Sequence, residues 1–266
     1  MDVQITCKNT YLIFNNKEKM CIFAKNYKIM ILCLETATPS CSVALVHKGE
    51  VLACEEDPKG QNHSEKITLF IDKVMKTAGV SYNDLDAVAV SMGPGSYTGL
   101  RIGVSTAKGL CYAVSKPLIA VSTLESMAHG GSVVIPSEAR NLKQNQSGLL
   151  VPMIDARRME VYAAIFDENI NKIKDTEAVI IDENSFSDLK KDHQIYLFGD
   201  GADKCAELFE NDDKITVIKE FHCSAKYMNV IAQRKLDAKD FVDVAYFEPF
   251  YLKDFVPGTP TVKGLH

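Results

Sequence analysis

The sequence predicts an α/β fold, a mixed sheet with helices on its faces, and two observations support that class. First, three strand-like runs joined by short turns, 31–35, 41–46 and 51–55, indicate an antiparallel meander. Second, helical and strand-like segments alternate after the meander, which gives the element order βββαβαβ. A mixed sheet built in this order is typical of a ribonuclease H-like unit.

Two long helices are expected in this unit, over 62–78 and 98–114, because apolar residues recur there at helical spacing. Strands are expected at 87–91, directly before a glycine-rich segment, and at 118–121, directly after Pro117. The apolar positions are Ile67, Phe70, Ile71, Val74, Met75 and Ala78 in the first helix, and Leu100, Val104, Ala107, Cys111 and Val114 in the second.

A second α/β unit follows and repeats the succession of strand, glycine turn and helix. The turn is Gly199-Asp200-Gly201, which we interpret as structural. Asp155, Arg157, Arg158 and Glu160 lie together at a strand junction, where they form either a local ion-pair network or a contact with a partner. We expect strands at 149–154, 160–166 and 195–198, a polar hairpin between the last two, and helices near 202–209 and 225–235.

These elements divide the chain into an N-terminal extension, a first domain, a flexible insertion and a second domain, over 1–29, 30–128, 129–148 and 149–266. Because Met30 directly precedes a clean strand, the extension is expected to be non-native or disordered. The alternative is an added edge strand through 11–14. The insertion is expected because the segment is polar and glycine-bearing.

Composition excludes several classes of protein. The net charge is −5 and no cluster of Lys and Arg is visible, so the chain is not expected to bind nucleic acid by itself. Its eight cysteines form no Cys-x-x-Cys pair, which indicates a reducing, cytoplasmic setting. No apolar stretch approaches the length of a membrane span.

The segment SMGPGSYTGLRIG, residues 91–103, follows a strand and opens a helix. Backbone amides in such a loop can hold a phosphate, and the candidates are Gly93, Pro94, Gly95, Ser96 and Gly99. Equally, the glycines can let the following helix lie close to the sheet. The segment lacks the Lys-Ser/Thr ending of a P-loop, so any anion is expected to bind weakly.

Five segments together resemble the TsaB (YeaZ) family, and the resemblance runs from about Met30 to Leu252. It implies an actin-like ATPase fold with two ribonuclease H-like halves. It also implies a non-catalytic scaffold that activates a TsaD-type transferase, which threonylcarbamoylates the tRNA adenosine next to the anticodon. The segments are LETATPSCSVAL, SMGPGSYTGLRIGVSTAKGL, STLES, PMIDARRMEVYAAIF and EPFYL.

The resemblance also implies the partners. They are the TsaD-type transferase and a TsaE-type ATPase, with tRNA met only through the complex and a homodimer when the chain is alone. The family pairs through the two long helices, and the wide apolar arc of 62–78 is an independent indication. The alternative is an ordinary core helix with a generous apolar face. The expected interface residues are His63, Ile67, Phe70, Ile71, Val74 and Gly103.

The remaining site expectations follow from comparison with active members of the fold. Glu35 and Thr36 occupy the first-hairpin position that touches phosphate or metal there, so with the glycine segment they are candidates for a vestigial phosphate loop. The alternative is ordinary turn chemistry. TsaD-type enzymes bind a metal through His-x-x-x-His, and the aligned residues here are Thr123 and Met127, which are poor ligands. We therefore expect no metal, no catalytic residue and at most a weak or interface-bound adenine nucleotide. The rival functions are an active ATPase or kinase of the same fold and, third, a metallopeptidase.

Overall fold

The first half of the molecule is a five-stranded mixed sheet. The structure, a computed structural model, describes residues 29–60, 62–135 and 148–253, so 1–28 of the expected extension lies outside the described residues. The strands are β1 (Ile31–Glu35), β2 (Cys41–His47), β3 (Glu50–Asp57), β4 (Ala87–Gly93) and β5 (Leu118–Ser122), in the order β3-β2-β1-β4-β5.

The predicted order βββαβαβ is confirmed in this half. β1, β2 and β3 pair antiparallel, whereas β1, β4 and β5 pair parallel. Two helices, α1 (His63–Ala78) and α2 (Tyr97–Val114), connect β3 to β4 and β4 to β5. Both pack on the same face of the sheet and bury their apolar residues in one core with Leu34, Leu45 and Val90.

The second half repeats this topology. Its strands are β6 (Gly148–Asp155), β7 (Glu160–Phe166), β8 (Lys172–Ile180), β9 (Gln194–Phe198) and β10 (Ile215–Ile218), in the order β10-β9-β6-β7-β8. Since β6–β7 and β7–β8 are antiparallel and β6–β9 and β9–β10 are parallel, β6 to β10 correspond one by one to β1 to β5.

The helices of the second half are much shorter than those of the first. The helix predicted near 202–209 is α4 (Asp200–Asp203) followed by a 3-10 turn, Ala206–Phe209. The connection from β8 to β9, residues 181–193, contains one 3-10 turn, Leu189–Lys191. The first half has the 16-residue helix α1 at the corresponding place.

Two helices cross from one half to the other. α3 (Thr123–Val134) follows the first sheet in the chain, yet it packs on the second sheet with Phe166 and Phe198. α5 (Asn229–Asp237) comes from the second half and packs on the back of the first sheet with Ile31 and Cys33. A 3-10 turn, Ala225–Met228, precedes α5 within the segment predicted as a helix near 225–235.

The prediction of a flexible insertion at 129–148 is wrong for the first residues of that segment. Residues 129–134 continue α3, and a Cβ atom on Gly131 would lie 2.5 Å from the Cζ atom of Phe198. The glycine is there because an aromatic ring packs against the helix backbone. Residues 136–147 lie outside the described residues. None of the described helices has the length and apolar character needed to cross a membrane.

Candidate functional site

A cleft of about 280 Å³ lies between the two halves. The β1–β2 turn contributes Thr38 and Ser40, α3 contributes Met127, and the second half contributes Asp200 and Cys223. The Ser40 hydroxyl donates a hydrogen bond of 2.7 Å to the Cys223 carbonyl oxygen. The floor of the cleft is therefore held by a bond between the two halves.

Glu35 ends β1 beside this cleft and is buried, with 1% of its surface exposed. Its Oε1 atom accepts a hydrogen bond of 2.7 Å from the Ala37 amide, whereas Oε2 has no hydrogen-bond partner among the described residues. Burial raises the pKa of Glu35 to about 7, against the opposing hydrogen bonds from Ala37, Ser91 and Thr36. The predicted acid is in place, as a carboxyl that is half protonated near neutral pH.

Two thiols lie close enough to Glu35 to respond to its charge. Burial raises the pKa of the Cys223 thiol well above its usual value, and the charges of Glu35 and Asp200 raise it further. Burial also raises the pKa of Cys41 to about 11, again with a contribution from Glu35. Both thiols therefore stay protonated at neutral pH and are poor nucleophiles.

The glycine segment packs against the β1–β2 turn. A Cβ atom on Gly99 would lie 2.1 Å from the Thr36 carbonyl oxygen, and the Thr36 hydroxyl donates a 2.8 Å hydrogen bond to the Gly99 carbonyl. Gly95 is equally close to the turn, 2.3 Å from the Ala37 carbonyl oxygen by the same measure. Close packing, the alternative given above, is thus the role that these contacts define.

Two amides of this segment are already hydrogen bonded within the protein. The Ser96 amide donates to the Ala37 carbonyl at 2.6 Å, and the Gly99 amide donates to the Ser96 hydroxyl at 3.2 Å. Pro94 has no amide proton, and Gly93 and Pro94 are buried. Both amides are therefore engaged within the protein, and the role of this segment as a vestigial phosphate loop stays a prediction.

Thr123 and Met127, which the family resemblance aligns with a metal-binding histidine pair, lie on α3. Thr123 is 0% exposed and Met127 is 1% exposed, and the Met127 methyl group packs beside Gly199. His129 lies two residues after Met127, and its pKa is lowered by burial and by Arg234, against the charge of Glu125. Within residues 29–60, 62–135 and 148–253, no group of three His, Cys, Asp or Glu side chains is placed to hold a metal ion.

Most of the predicted interface residues are in the core. Ile67, Ile71 and Val74 are 1%, 3% and 0% exposed, and Phe70 packs against the same core. Gly103 is buried, where a Cβ atom would lie 2.3 Å from the Thr36 hydroxyl oxygen. The sheet and the neighbouring helix cover Ile67, Ile71, Val74 and Gly103, so these four residues are not exposed to a partner. Phe70 is half-buried, and its interface role stays a prediction.

His63 is half-buried at the start of the first long helix, and its interface role stays a prediction. This histidine begins α1 and its Nε2 atom lies 2.8 Å from the Thr38 carbonyl oxygen, so it ties the helix to the turn that lines the cleft. The outer face of the helix pair presents Leu69 on α1, which is 65% exposed, and Tyr112 on α2, which is 86% exposed. The only sequence signal for Tyr112 is that it lies off the apolar stripe of its helix.

Two further clusters lie outside the cleft. Arg101 on α2 packs over the Tyr97 ring, 4.1 Å from its centroid, and donates a 3.1 Å hydrogen bond to the Tyr251 hydroxyl, which fixes the C-terminal segment to α2.

At the β6–β7 turn, Asp155 pairs with Lys204 and Glu160 pairs with Lys253. An ion-pair network does form there, but its cations are lysines distant in sequence rather than Arg157 and Arg158.

The repeated ribonuclease H-like halves, with a cleft between them, define a protein of the actin-like ATPase class. A family model described as TsaD, tRNA N6-adenosine threonylcarbamoyltransferase, matches residues 58–256. The chain belongs to the family that this model describes and, within it, to the TsaB (YeaZ) group.

Relatives support that placement, and a solved structure supports the fold. The tRNA threonylcarbamoyladenosine biosynthesis protein TsaB of Escherichia coli is 38% identical over 154 residues, 56% of this chain and 62% of that protein. TsaB of Haemophilus influenzae is 29% identical over 238 residues, 86% of this chain and 95% of that protein. The structure of YeaZ from Pseudomonas aeruginosa has 22% identity and a TM-score of 0.65, covering 84% of this chain and 100% of that one. The match thus spans less than two thirds of the Escherichia coli relative.

Proposed function

We propose that this chain is a non-catalytic subunit that activates a TsaD-type transferase in the threonylcarbamoylation of tRNA adenosine. The observation that carries this proposal is the chemistry of α3 at the cleft. By the family resemblance, Thr123 and Met127 stand where TsaD-type enzymes have a histidine pair, and both are buried. A thioether is a soft ligand and a threonine hydroxyl a weak one, so neither replaces an imidazole.

The cleft itself supports a degenerate nucleotide site. Its volume of about 280 Å³ is at the lower limit for pockets that enclose small ligands. The amides of Ser96 and Gly99 are engaged in internal hydrogen bonds. We therefore propose no catalytic cofactor or metal, and at most an adenine nucleotide that binds weakly or at an interface with a partner.

The partner surface in this proposal is the outer face of α1 and α2. Leu69 and Tyr112 are the large apolar side chains that it exposes, and a tyrosine buried at an interface is a common source of binding energy. The same face serves a homodimer when the chain is alone and the TsaD-type transferase in the complex. A TsaE-type ATPase joins that complex in the cytoplasm. The net charge of −5 favours contact with tRNA only through the assembled complex.

Reconstitution tests the proposal directly. Threonylcarbamoyl transfer to tRNA is measured with a TsaD-type transferase and threonylcarbamoyl-AMP, with and without this chain. We expect transfer to require the chain, and the variant Leu69→Asp, Tyr112→Asp to lose both binding and stimulation while its circular dichroism and melting temperature stay unchanged. Val133→Asp, which charges an exposed position on α3 (78% exposed), is the matched control and keeps both.

Two results would contradict the non-catalytic assignment. One is steady multiple-turnover hydrolysis of ATP by the isolated chain, which the rival ATPase or kinase requires. The other is stoichiometric zinc or iron in elemental analysis, which a metallopeptidase requires. Full stimulation by the Leu69→Asp, Tyr112→Asp variant would instead place the partner surface elsewhere on the molecule.

A further inference from the structure

The turn between β6 and β7 places two adjacent arginines at its tip. Arg157 and Arg158 are both exposed and have φ angles of 75° and 51°. In this left-handed region a side chain crowds the following carbonyl oxygen, so glycine or asparagine is the usual choice. The β2–β3 turn, through Lys48 and Gly49, has φ angles of 48° and 78°, and one of its two residues is glycine. The β6–β7 turn thus retains two arginines at a conformational cost, which indicates a role for their side chains.

Among the described residues, neither of these guanidinium groups has a partner. The described ranges contain four arginines, of which Arg101 is held by a tyrosine and Arg234 by a glutamate. The backbone amide of Arg157 donates a 2.8 Å hydrogen bond to Asp155. The side chains of Arg157 and Arg158, by contrast, make no hydrogen bond, ion pair or ring contact with the described part of the chain. Both are therefore free to bind a ligand.

The acids beside the turn do not balance the two arginines. Lys204 pairs with Asp155, and Lys253 pairs with Glu160. A third acid, Asp200, is half-buried and accepts a 3.2 Å hydrogen bond from the Asp155 amide. Even with Asp200 included, the cations of the turn outnumber these acids by four to three. The turn therefore attracts an anion, although the net charge of the chain is −5.

The turn lies at the edge of the cleft but outside it. Asp200 lines the cleft, whereas neither arginine does. The arginines are therefore placed for an anion that runs over the surface of the molecule rather than for one enclosed in the cleft. An RNA backbone is such a ligand, because it presents a row of phosphates. A guanidinium group matches the phosphate oxygens with two parallel hydrogen bonds.

We propose that Arg157 and Arg158 bind phosphates of the tRNA backbone when the chain is assembled with the transferase. This inference rests on the proposed function and adds that the subunit itself helps to hold the tRNA. Contacts to phosphates fix the position of a nucleic acid without reading its bases. The two arginines therefore set the affinity for tRNA and its dependence on salt, and they leave the turnover of bound tRNA unchanged.

Neutral substitutions in the assembled complex test the inference. The complex of the full chain and the transferase is titrated against a fluorescein-labelled tRNA transcript at several salt concentrations, and binding is followed by anisotropy. We expect Arg157→Gln, Arg158→Gln to weaken binding by about tenfold and to make the slope of log K against log salt shallower by about 2. The KM for tRNA should rise by a similar factor while kcat stays unchanged.

Lys48→Gln, Lys239→Gln is the matched control. Both lysines are exposed, lie outside this turn and have positive φ angles of 48° and 55°. The control thus removes the same charge from the same backbone conformation, and it should leave the affinity for tRNA unchanged. Arg157→Lys, Arg158→Lys keeps both charges and should retain most of the salt dependence.

Equal losses of tRNA affinity in the arginine-to-glutamine variant and in the control would overturn the inference. Loss of transferase binding by that variant in gel filtration would overturn it in favour of a protein contact, and a matching loss of ATP binding would do so in favour of a nucleotide. Unchanged tRNA affinity in a complex that is still stimulated would remove this inference alone. If the unmodified chain fails to stimulate the transferase, the proposed function fails and this inference with it.

Discussion

The two halves of the molecule share one strand order but differ in what covers their sheets. In the first half, α1 and α2 have 16 and 18 residues, and their apolar stripes close one face of the sheet. In the second half, α4 has four residues and the corresponding face keeps an open groove of about 400 Å³, lined by β6, β7 and β8. The repeated topology therefore specifies the sheet, whereas the length of the connections decides whether its face is closed or available.

The halves also differ in the acids that end their equivalent strands. Glu35 ends β1 and is buried, with one carboxylate oxygen unpaired among the described residues. Asp155 ends β6, is exposed and pairs with Lys204. The same place in the topology thus holds a buried carboxyl whose pKa is raised to about 7 in one half and a solvated ion pair in the other.

The largest expected loss of stability comes from a charge placed on the buried face of α1. Val74→Asp places a charge at a position that is 0% exposed, so we expect a loss of about 4 kcal/mol or more in the free energy of unfolding. Leu189→Asp, in the corresponding connection of the second half, should cost only about 1–2 kcal/mol because that side chain is half-buried. Chemical denaturation measures both losses. Equal losses would contradict the conclusion that the first sheet is closed by its helix and the second is not.

The next effect concerns Glu35. Its pKa in the folded state is about 7, above the ordinary value of 4.5, so the folded state binds the proton more tightly. The stability contributed by this group is lost as pH rises between those two values. Glu35→Gln should therefore raise the free energy of unfolding at pH 8 by about 3 kcal/mol and change it little at pH 4.

Asp155→Asn is the control for that pH dependence. Because Asp155 is exposed and its ion pair with Lys204 is accessible to solvent, its removal should cost less than about 1 kcal/mol. A difference between Glu35→Gln and the unmodified chain that does not grow from pH 4 to pH 8 would show that the carboxyl is not desolvated.

Glycine substitutions in α2 should give a smaller effect. Gly99→Ala puts a methyl group 2.1 Å from the Thr36 carbonyl oxygen, and the resulting shift of α2 should cost about 2 kcal/mol. Gly109→Ala, on the exposed side of the same helix with nothing within 4 Å, should stabilise by about 0.5–1 kcal/mol. Thermal melts of the two variants should move in opposite directions.

The smallest expected effect is at the start of α2. The Ser96 hydroxyl accepts a hydrogen bond from the Gly99 amide, and Ser96→Ala should cost about 1 kcal/mol. α4 starts after Gly199 and has no side-chain cap, so the second half has no equivalent to lose. Unchanged denaturation of the Ser96→Ala variant would mean that water replaces the hydroxyl.

The elements that the sequence predicts well are those with a clear apolar repeat. Strand Glu160–Phe166 has the predicted bounds, and each long helix begins within one residue of its prediction. The sequence predicts only a polar hairpin where β8 lies. This strand is mostly exposed, so its residues KIKDTEAVI lack the regular alternation of apolar and polar residues that predicts a strand. β10 has only four residues, and the glycines in α3 conceal a helix whose partner is an aromatic ring distant in sequence.

The site was predictable in part. Comparison with active members of the fold implied both the acid at Glu35, the last residue of β1, and the loss of two histidines at Thr123 and Met127. The burial of Glu35 could not be predicted, since it depends on segments far apart in the chain. The wide apolar arc of α1 suggested more apolar residues than the core needs, which would leave some to bind a partner. The sheet and α2 cover this arc. Tyr112, the most exposed of the large apolar side chains, carries no periodic signal.

The exchange of α3 and α5 between the halves has a consequence for biosynthesis. The back of the first sheet is apolar, with Ile31 and Cys33 among its residues, and it is closed by Ile231 on α5. A ribosome completes the last strand of that sheet, β5, more than a hundred residues before it makes α5. We therefore expect the nascent first half to keep one face open until α5 is made and packs on it. For the same reason, we expect that a gene fragment encoding either half alone would not give a stably folded protein.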